Sequence, residues 1–162
     1  MKNLLYIAII ISTLLSPNLV RAQAVDYTIG IPTGSNGGTG YPSPFANWFW
    51  GTRQQYLILG SELTAAGATK GDITEIAFNV LNVNSCPPLQ GYTVWVKTTS
   101  STPSLLAWET NMGSPVYGPT TYTTTPGWNS FAIPEFSWNG SDNIVIEICS
   151  NNSSYLTNGN AS

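Results

Sequence analysis

The sequence predicts an all-β protein, an antiparallel β-sandwich of jelly-roll-like form with one short helical turn. Three observations carry that expectation. Several short runs alternate apolar and polar residues with a period of two, and clusters of turn-forming residues separate them. One run, Ile144-Val145-Ile146-Glu147-Ile148-Cys149, is almost wholly apolar, as a central strand covered on both faces would be. Many short strands spaced this way, with almost no helical periodicity, point to two packed sheets.

The amino-terminal stretch, residues 1–22, reads as a secretory signal peptide. Lys2 supplies the positive start, Leu4 to Leu15 form an apolar run broken only by Ser12 and Thr13, and Ser16-Pro17-Asn18 ends it. Val20-Arg21-Ala22 places small residues where a signal peptidase reads, so cleavage is expected after Ala22, with Ala24 as the alternative. A membrane anchor needs ~20 apolar residues, and this run is shorter. Residues 23–40 are expected to hold an N-terminal strand, Asp26 to Ile31, and a glycine-rich loop; residues 41–162 form the sandwich domain.

Within the domain, Ile73 to Val80 places Ile76, Phe78 and Val80 on one face and Glu75, Ala77 and Asn79 on the other. Tyr92 to Lys97 and Trp128 to Ile133 alternate in the same way, and Gln54 to Leu59 and Val116 to Thr123 are weaker strand candidates. Lys70-Gly71-Asp72, Pro87-Pro88, Pro126-Gly127 and Asn139 to Asn143 supply turns. The helical turn is expected at Glu62 to Ala66, capped by Ser61 and ended by Gly67 in the left-handed conformation.

Composition narrows the partners. Five basic residues face eight acidic ones, a net charge of −3. Loss of Lys2 and Arg21 with the signal peptide leaves three against eight, or −5. Nucleic acid binding needs clustered cations to displace counterions from phosphates, and Arg53, Lys70 and Lys97 are scattered. Anionic membrane surfaces are disfavoured for the same reason. Six Trp, eight Tyr and five Phe supply ample area for a core, which argues against disorder.

Most catalytic chemistries find no foothold. The chain has no His, which removes His triads, His metal sites and His bases. Gly34 to Gly40 resembles a phosphate cradle only superficially, because Tyr41-Pro42-Ser43-Pro44 follows it where a helix must begin. Paired carboxylates hydrolyse glycosides, yet nothing in the spacing of Glu62, Glu75, Glu109, Glu135 and Glu147 sets two of them across a cleft. Glu147 stands out because it interrupts the most apolar run, where a carboxylate needs a hydrogen-bonding partner or a raised pKa. Asn139 to Asn143 gathers amide oxygens around Asp142, but calcium wants six to eight oxygens and several carboxylates, so a tight turn is the better reading. No metal and no cofactor are expected.

Cys86 and Cys149 are the two cysteines of the chain. In an oxidising compartment such a pair is expected to form a disulfide, closing a loop of about 60 residues worth ~4 kcal/mol in the chain-entropy account.

Three stretches resemble a known group of domains. "YPSPFANWFWGTRQQYLILGSELTAAGATKGDITEIAFNV", "LQGYTVWVKTT" and "GWNSFAIPEFSWNGSDNIVIEICSNNSSY" are similar to a β-sandwich domain of Bacteroidota secreted and cell-surface proteins, cargo of the type IX export system. The resemblance covers roughly residues 40–155 and implies a surface, adhesion or accessory module with no catalytic residue to carry over. It further implies additional domains of the same polypeptide. The chain stops at Asn158 to Ser162, in a polar turn just after the start of an expected last strand, so a truncated C-terminal end is expected. A missing strand would leave an unpaired sheet edge.

The segment Gly40 to Gly51 is dense in aromatics: Tyr41, Phe45, Trp48, Phe49 and Trp50. Extended backbone would point Trp48 and Trp50 one way and Phe49 the other. Two readings follow, core filling or a ligand platform, and the cost of exposing Trp favours the core. In the ligand reading Trp48, Trp50 and Arg53 form the site, because aromatic faces stack on the apolar faces of sugar rings, while Arg53 and Gln54 supply hydrogen bonds. The expected function is therefore a non-catalytic extracellular module for adhesion or spacing, with a glycan or another surface protein as partner. The alternative is a carbohydrate-binding module attached to a secreted degradative enzyme, and an enzyme in its own right ranks last.

Overall fold

A computed structural model describes residues 23–30, 43–100, 107–155 and 159–161. The expected signal peptide and the glycine-rich run lie outside the described residues. The element order is β1 (Gly51–Ile58), α1 (Gly60–Ala65), β2 (Gly71–Val80), β3 (Leu89–Thr99), β4 (Tyr117–Tyr122), β5 (Gly127–Trp138) and β6 (Asn143–Asn151). Two antiparallel sheets result, one of order β1-β6-β3-β4 and one pairing β2 with β5. The all-β, sandwich-like architecture is the one the alternating runs predict. Among the described residues no helix is long and apolar enough to cross a membrane.

Period-two alternation sets the inner face. Tyr92, Val94 and Val96 of β3 and Ile144, Ile146 and Ile148 of β6 meet Ile76 and Val80 of β2 and Phe131, Ile133 and Trp138 of β5 in one core. β6 lies between β1 and β3, in register with both through Glu147, which faces Gln55 on one side and Trp95 on the other. Its residues are buried from Ile144 through Ile148 on both faces, as its apolar composition predicts. An aromatic cluster holds the middle: Tyr92 stacks on Phe131 with centroids 5.4 Å apart and on Tyr122 at 5.1 Å. Burial, aided by the neighbouring tyrosines, pushes the Tyr92 phenol far above its ordinary pKa, so the ring acts as neutral filling.

Register shifts interrupt both sheets, twice between β3 and β4 and once between β2 and β5. Between the pairs Ile73–Phe136 and Glu75–Ala132, β2 advances two residues while β5 advances four. Pro134 sits in that bulge, where its missing N–H breaks no ladder bond.

The helix begins two residues earlier than a Ser61 cap would start it. Leu59 occupies the cap position, and its N–H donates to the Glu62 carboxylate at 2.8 Å. Gly60 is required there because a methyl group would come within 2.1 Å of the Ser141 carbonyl oxygen. Gly67 ends the helix with φ +96°, as expected. The strand expected from Asp26 does not form over residues 26–30, which run as coil, although Ile29 packs on the core.

The expected disulfide is not formed; Cys86 and Cys149 are both free thiols. The reason lies in strand parity. Cys149 shares the outer face of the four-stranded sheet with Glu147, while Cys86 packs on the core side with its Sγ 3.5 Å from the Phe45 carbonyl oxygen. The sheet itself separates them. Burial raises the pKa of both thiols; the Arg53 charge pulls partly the other way at Cys149, and hydrogen bonding at Cys86.

Candidate functional site

Residues 43–50 lead into β1 and divide into two halves. In the first, Phe45 is wholly buried, stacked 5.7 Å from both Tyr92 and Tyr122 and edge-on to Phe78 at 6.3 Å. In the second, Phe49 and Trp50 stand out in solvent, 69% and 54% exposed. Trp48 lies between, half-buried. The backbone turns over 48–50 rather than running extended, so the alternation that would align Trp48 with Trp50 does not apply. The core reading therefore holds for Phe45 and fails for Phe49 and Trp50.

Trp50 has a left-handed backbone, φ 71°, which is uncommon for a bulky residue. Neighbouring bonds hold it there. The Gly51 N–H donates to the Phe49 carbonyl at 2.8 Å, and the Asn152 N–H donates to the Trp50 carbonyl at 3.1 Å. The indole then stacks on Tyr155, centroids 6.3 Å apart and planes 18° from parallel, and both rings stay more than half exposed.

A buried clamp fixes the root of this loop. Gly159, Asn160 and Ala161 are buried rather than forming a solvated polar turn. The Asn160 Oδ1 accepts from the backbone N–H groups of Asn47 and Trp48, each at 2.9 Å. The Ala161 N–H donates to the Phe45 carbonyl at 3.0 Å, and the Ser43 hydroxyl donates to the Ala161 carbonyl. On the other side the Asn84 amide donates to the Asn160 carbonyl at 2.6 Å. The loop hangs from the interior by its first half and presents its second half outward.

Three residues along β1, Arg53 projects from the outer face of the sheet. Its Nε and Nη2 donate to the two oxygens of Glu147 at 3.0 and 3.1 Å, a fork-on-fork pair. Glu147 is nearly sealed, with 3% of its side chain exposed against 59% for Arg53. The Gln55 amide gives Glu147 a third donor at 2.6 Å. Hydrogen bonding to Glu147, reinforced by its charge, raises the Arg53 pKa above the usual guanidinium range. Glu147 thus meets its polar demand on the outer face with an arginine and an amide.

Gln55 also ties down a strap, residues 107–112. Its Oε1 accepts from the Glu109 N–H and its Nε2 donates to the Glu109 carbonyl, each at 2.9 Å, so the side chain imitates a strand partner. Lys97 Nζ lies 3.0 Å from the Glu109 carboxylate and donates to the Thr110 carbonyl at 2.9 Å; Thr99 donates to Glu109 as well. The strap carries Trp108 outward, 56% exposed, with the Arg53 guanidinium carbon 5.7 Å from its ring centre. A small notch of about 130 Å3, lined by Ala46, Phe49, Gly51, Thr52 and Arg53, joins this station to the Trp50 loop.

Of the three ligand candidates, Trp50 and Arg53 fall on the exposed corner, and Trp48 serves as its half-buried root. Gln54 points inward, buried and bonded to the Ser43 carbonyl at 2.6 Å. Trp108 and Tyr155 complete the corner. Tyr155 is a lone aromatic after a polar run, and Trp108 follows the short apolar run Leu105-Leu106-Ala107, so neither announces an exposed site. The Asn139 turn is accounted for without an ion, because Asn139 Oδ1 accepts from the N–H groups of Ser141 and Asp142 at 3.0 and 2.9 Å. Among the described residues no group of acids and cysteines is arranged to hold a metal. No protein-family model, curated protein or solved structure matches the chain, so geometry carries the functional argument.

Proposed function

We propose that the chain is a secreted, non-catalytic β-sandwich module that binds glycan through the corner formed by Phe49, Trp50, Tyr155, Arg53 and Trp108. The observation behind this reading is the exposed Trp50–Tyr155 stack on a left-handed tryptophan backbone. Strain of this kind costs on the order of 1–3 kcal/mol and persists where the surroundings over-determine it, commonly at ligand sites. A module acting purely as a spacer has no use for it. Large aromatic faces left in water are most simply explained by something that covers them, and the face of a sugar ring, polarised C–H bonds over an electron-rich ring, is a good fit.

The non-catalytic part of the reading is supported by the acids nearest the corner. Glu147 is occupied by Arg53 and Gln55, and Glu109 by Lys97 and Thr99. Each is spent as an acceptor in holding structure, and a general acid or base needs a proton in reach of substrate. Adhesion to a glycan-coated surface and attachment to a degradative enzyme are two uses of the same corner.

A glycan array with the purified protein tests the proposal. Binding to at least one glycan class, lost in Trp50→Ala while the thermal melt is unchanged, is the expected result. A module blind to every glycan, or equally active without Trp50, would sink it.

A further inference from the structure

On the reading of this corner as a glycan site, we infer that its ligand is a neutral polysaccharide chain lying across two aromatic stations, Trp50–Tyr155 and Trp108–Arg53. Spacing is the first ground for a polymeric ligand. Trp50 and Arg53 are three residues apart, one on the turn before β1 and one on the strand, so their backbones lie within about 10 Å of each other while each belongs to its own aromatic station. Phe49 and Arg53 line one notch between them, so the surface is continuous. One sugar ring stacks on one aromatic face, so filling both stations takes a run of linked rings.

The second ground is charge. Arg53 would be the natural anchor for a uronic acid or a sulfate, but two of its nitrogens are already committed to Glu147. Nearby, Lys97 is matched by Glu109. Both cations of this face are therefore neutralised by carboxylates of the same chain, and the whole chain is net negative. An anionic polymer meets no uncompensated cation here and is repelled at long range. A neutral polymer loses nothing by this arrangement, and it finds exposed rings with the remaining Arg53 nitrogen beside them for its own hydroxyls.

The third ground is rigidity. Trp50 is set by the backbone bonds on either side, and Trp108 rides on a strap held by Gln55, Lys97 and Thr99. Stations that do not have to be ordered on binding lose less entropy to the ligand, which suits a polymer held by stacking.

Affinity electrophoresis and titration calorimetry test this with named polymers: mixed-linkage β-glucan, xyloglucan and galactomannan as neutral probes, polygalacturonate and alginate as acidic ones. Expected are binding to at least one neutral polymer, a Kd that changes less than twofold between 20 and 500 mM NaCl, and at least tenfold losses in Trp50→Ala and in Trp108→Ala separately. A hexasaccharide of the bound polymer should bind at least tenfold tighter than its disaccharide. Preference for an acidic polymer, weakening as salt rises, would overturn the neutral-ligand inference while leaving glycan binding standing. Loss in Trp50→Ala with none in Trp108→Ala, or equal binding of disaccharide and hexasaccharide, would overturn the two-station arrangement alone. Failure to bind any glycan removes both this inference and the function it rests on.

Discussion

Ser43 to Asn47 and Trp48 to Trp50 are consecutive in the chain and opposite in fate, the first with one aromatic ring and the second with three. The first stretch sends Phe45 into the centre of the core and is held by the buried Asn160–Ala161 clamp. The second turns outward, leaves Phe49 and Trp50 in water, and keeps Trp50 in a backbone conformation that bulky residues avoid. Aromatic density therefore does not mark the packed stretch, since the ring-poor one is buried and the ring-rich one is exposed. The difference comes from what each ring meets: Phe45 has Tyr92, Tyr122, Phe78 and Phe131 around it, whereas Trp50 has Tyr155, itself exposed.

Substitutions can separate the two halves. Phe45→Ala is expected to cost about 3–5 kcal/mol, because it empties a filled site at the core's aromatic centre; chemical denaturation measures it, and a loss under 1 kcal/mol would mean the ring is not central. Arg53→Ala should come next, at about 2–3 kcal/mol, since it strands the sealed Glu147 carboxylate with Gln55 as its remaining partner. The reverse change, Glu147→Gln, returns a half-exposed Arg53 to water and should cost only about 1 kcal/mol. Equal losses in the two variants would contradict that asymmetry.

Asn160→Ala removes the acceptor for two backbone N–H groups and is expected to cost about 2 kcal/mol. It should also weaken ligand binding, since the root of the Trp50 loop is loosened; unaltered binding would show that the turn orders itself. The smallest stability effect is expected for Trp50→Gly. Relief of the left-handed backbone, about 1 kcal/mol, offsets loss of the Tyr155 stack, also about 1 kcal/mol. A melt displaced by several degrees would place Trp50 with the packing half of the loop.

The strands were legible because burial on one face writes a period of two into the sequence. Ile76, Phe78 and Val80 were readable this way, and so was the doubly covered strand around Ile146. The corner was only half legible. Trp50 and Arg53 lie near each other in the chain, but Trp108 and Tyr155 reach it through the strap and the segment after β6, which no local pattern announces. Asn160 looked like part of a solvated turn because an amide side chain has the same appearance in a sequence whether it faces water or caps buried N–H groups. The cysteine pairing failed for a related reason: two thiols in a sequence say nothing about which face of a sheet each occupies.

Composition and periodicity alone thus settle that the chain forms antiparallel strands with one helical turn, since alternation is a property of each segment and needs no knowledge of its neighbours. Which strands pair, that Glu147 meets Arg53 rather than water, that the thiols lie on opposite faces, and which aromatics stay outside were decided only when distant segments came together. Arg53 and Glu147 are 94 positions apart in the chain, and a side chain's environment is a fact about everything packed around it.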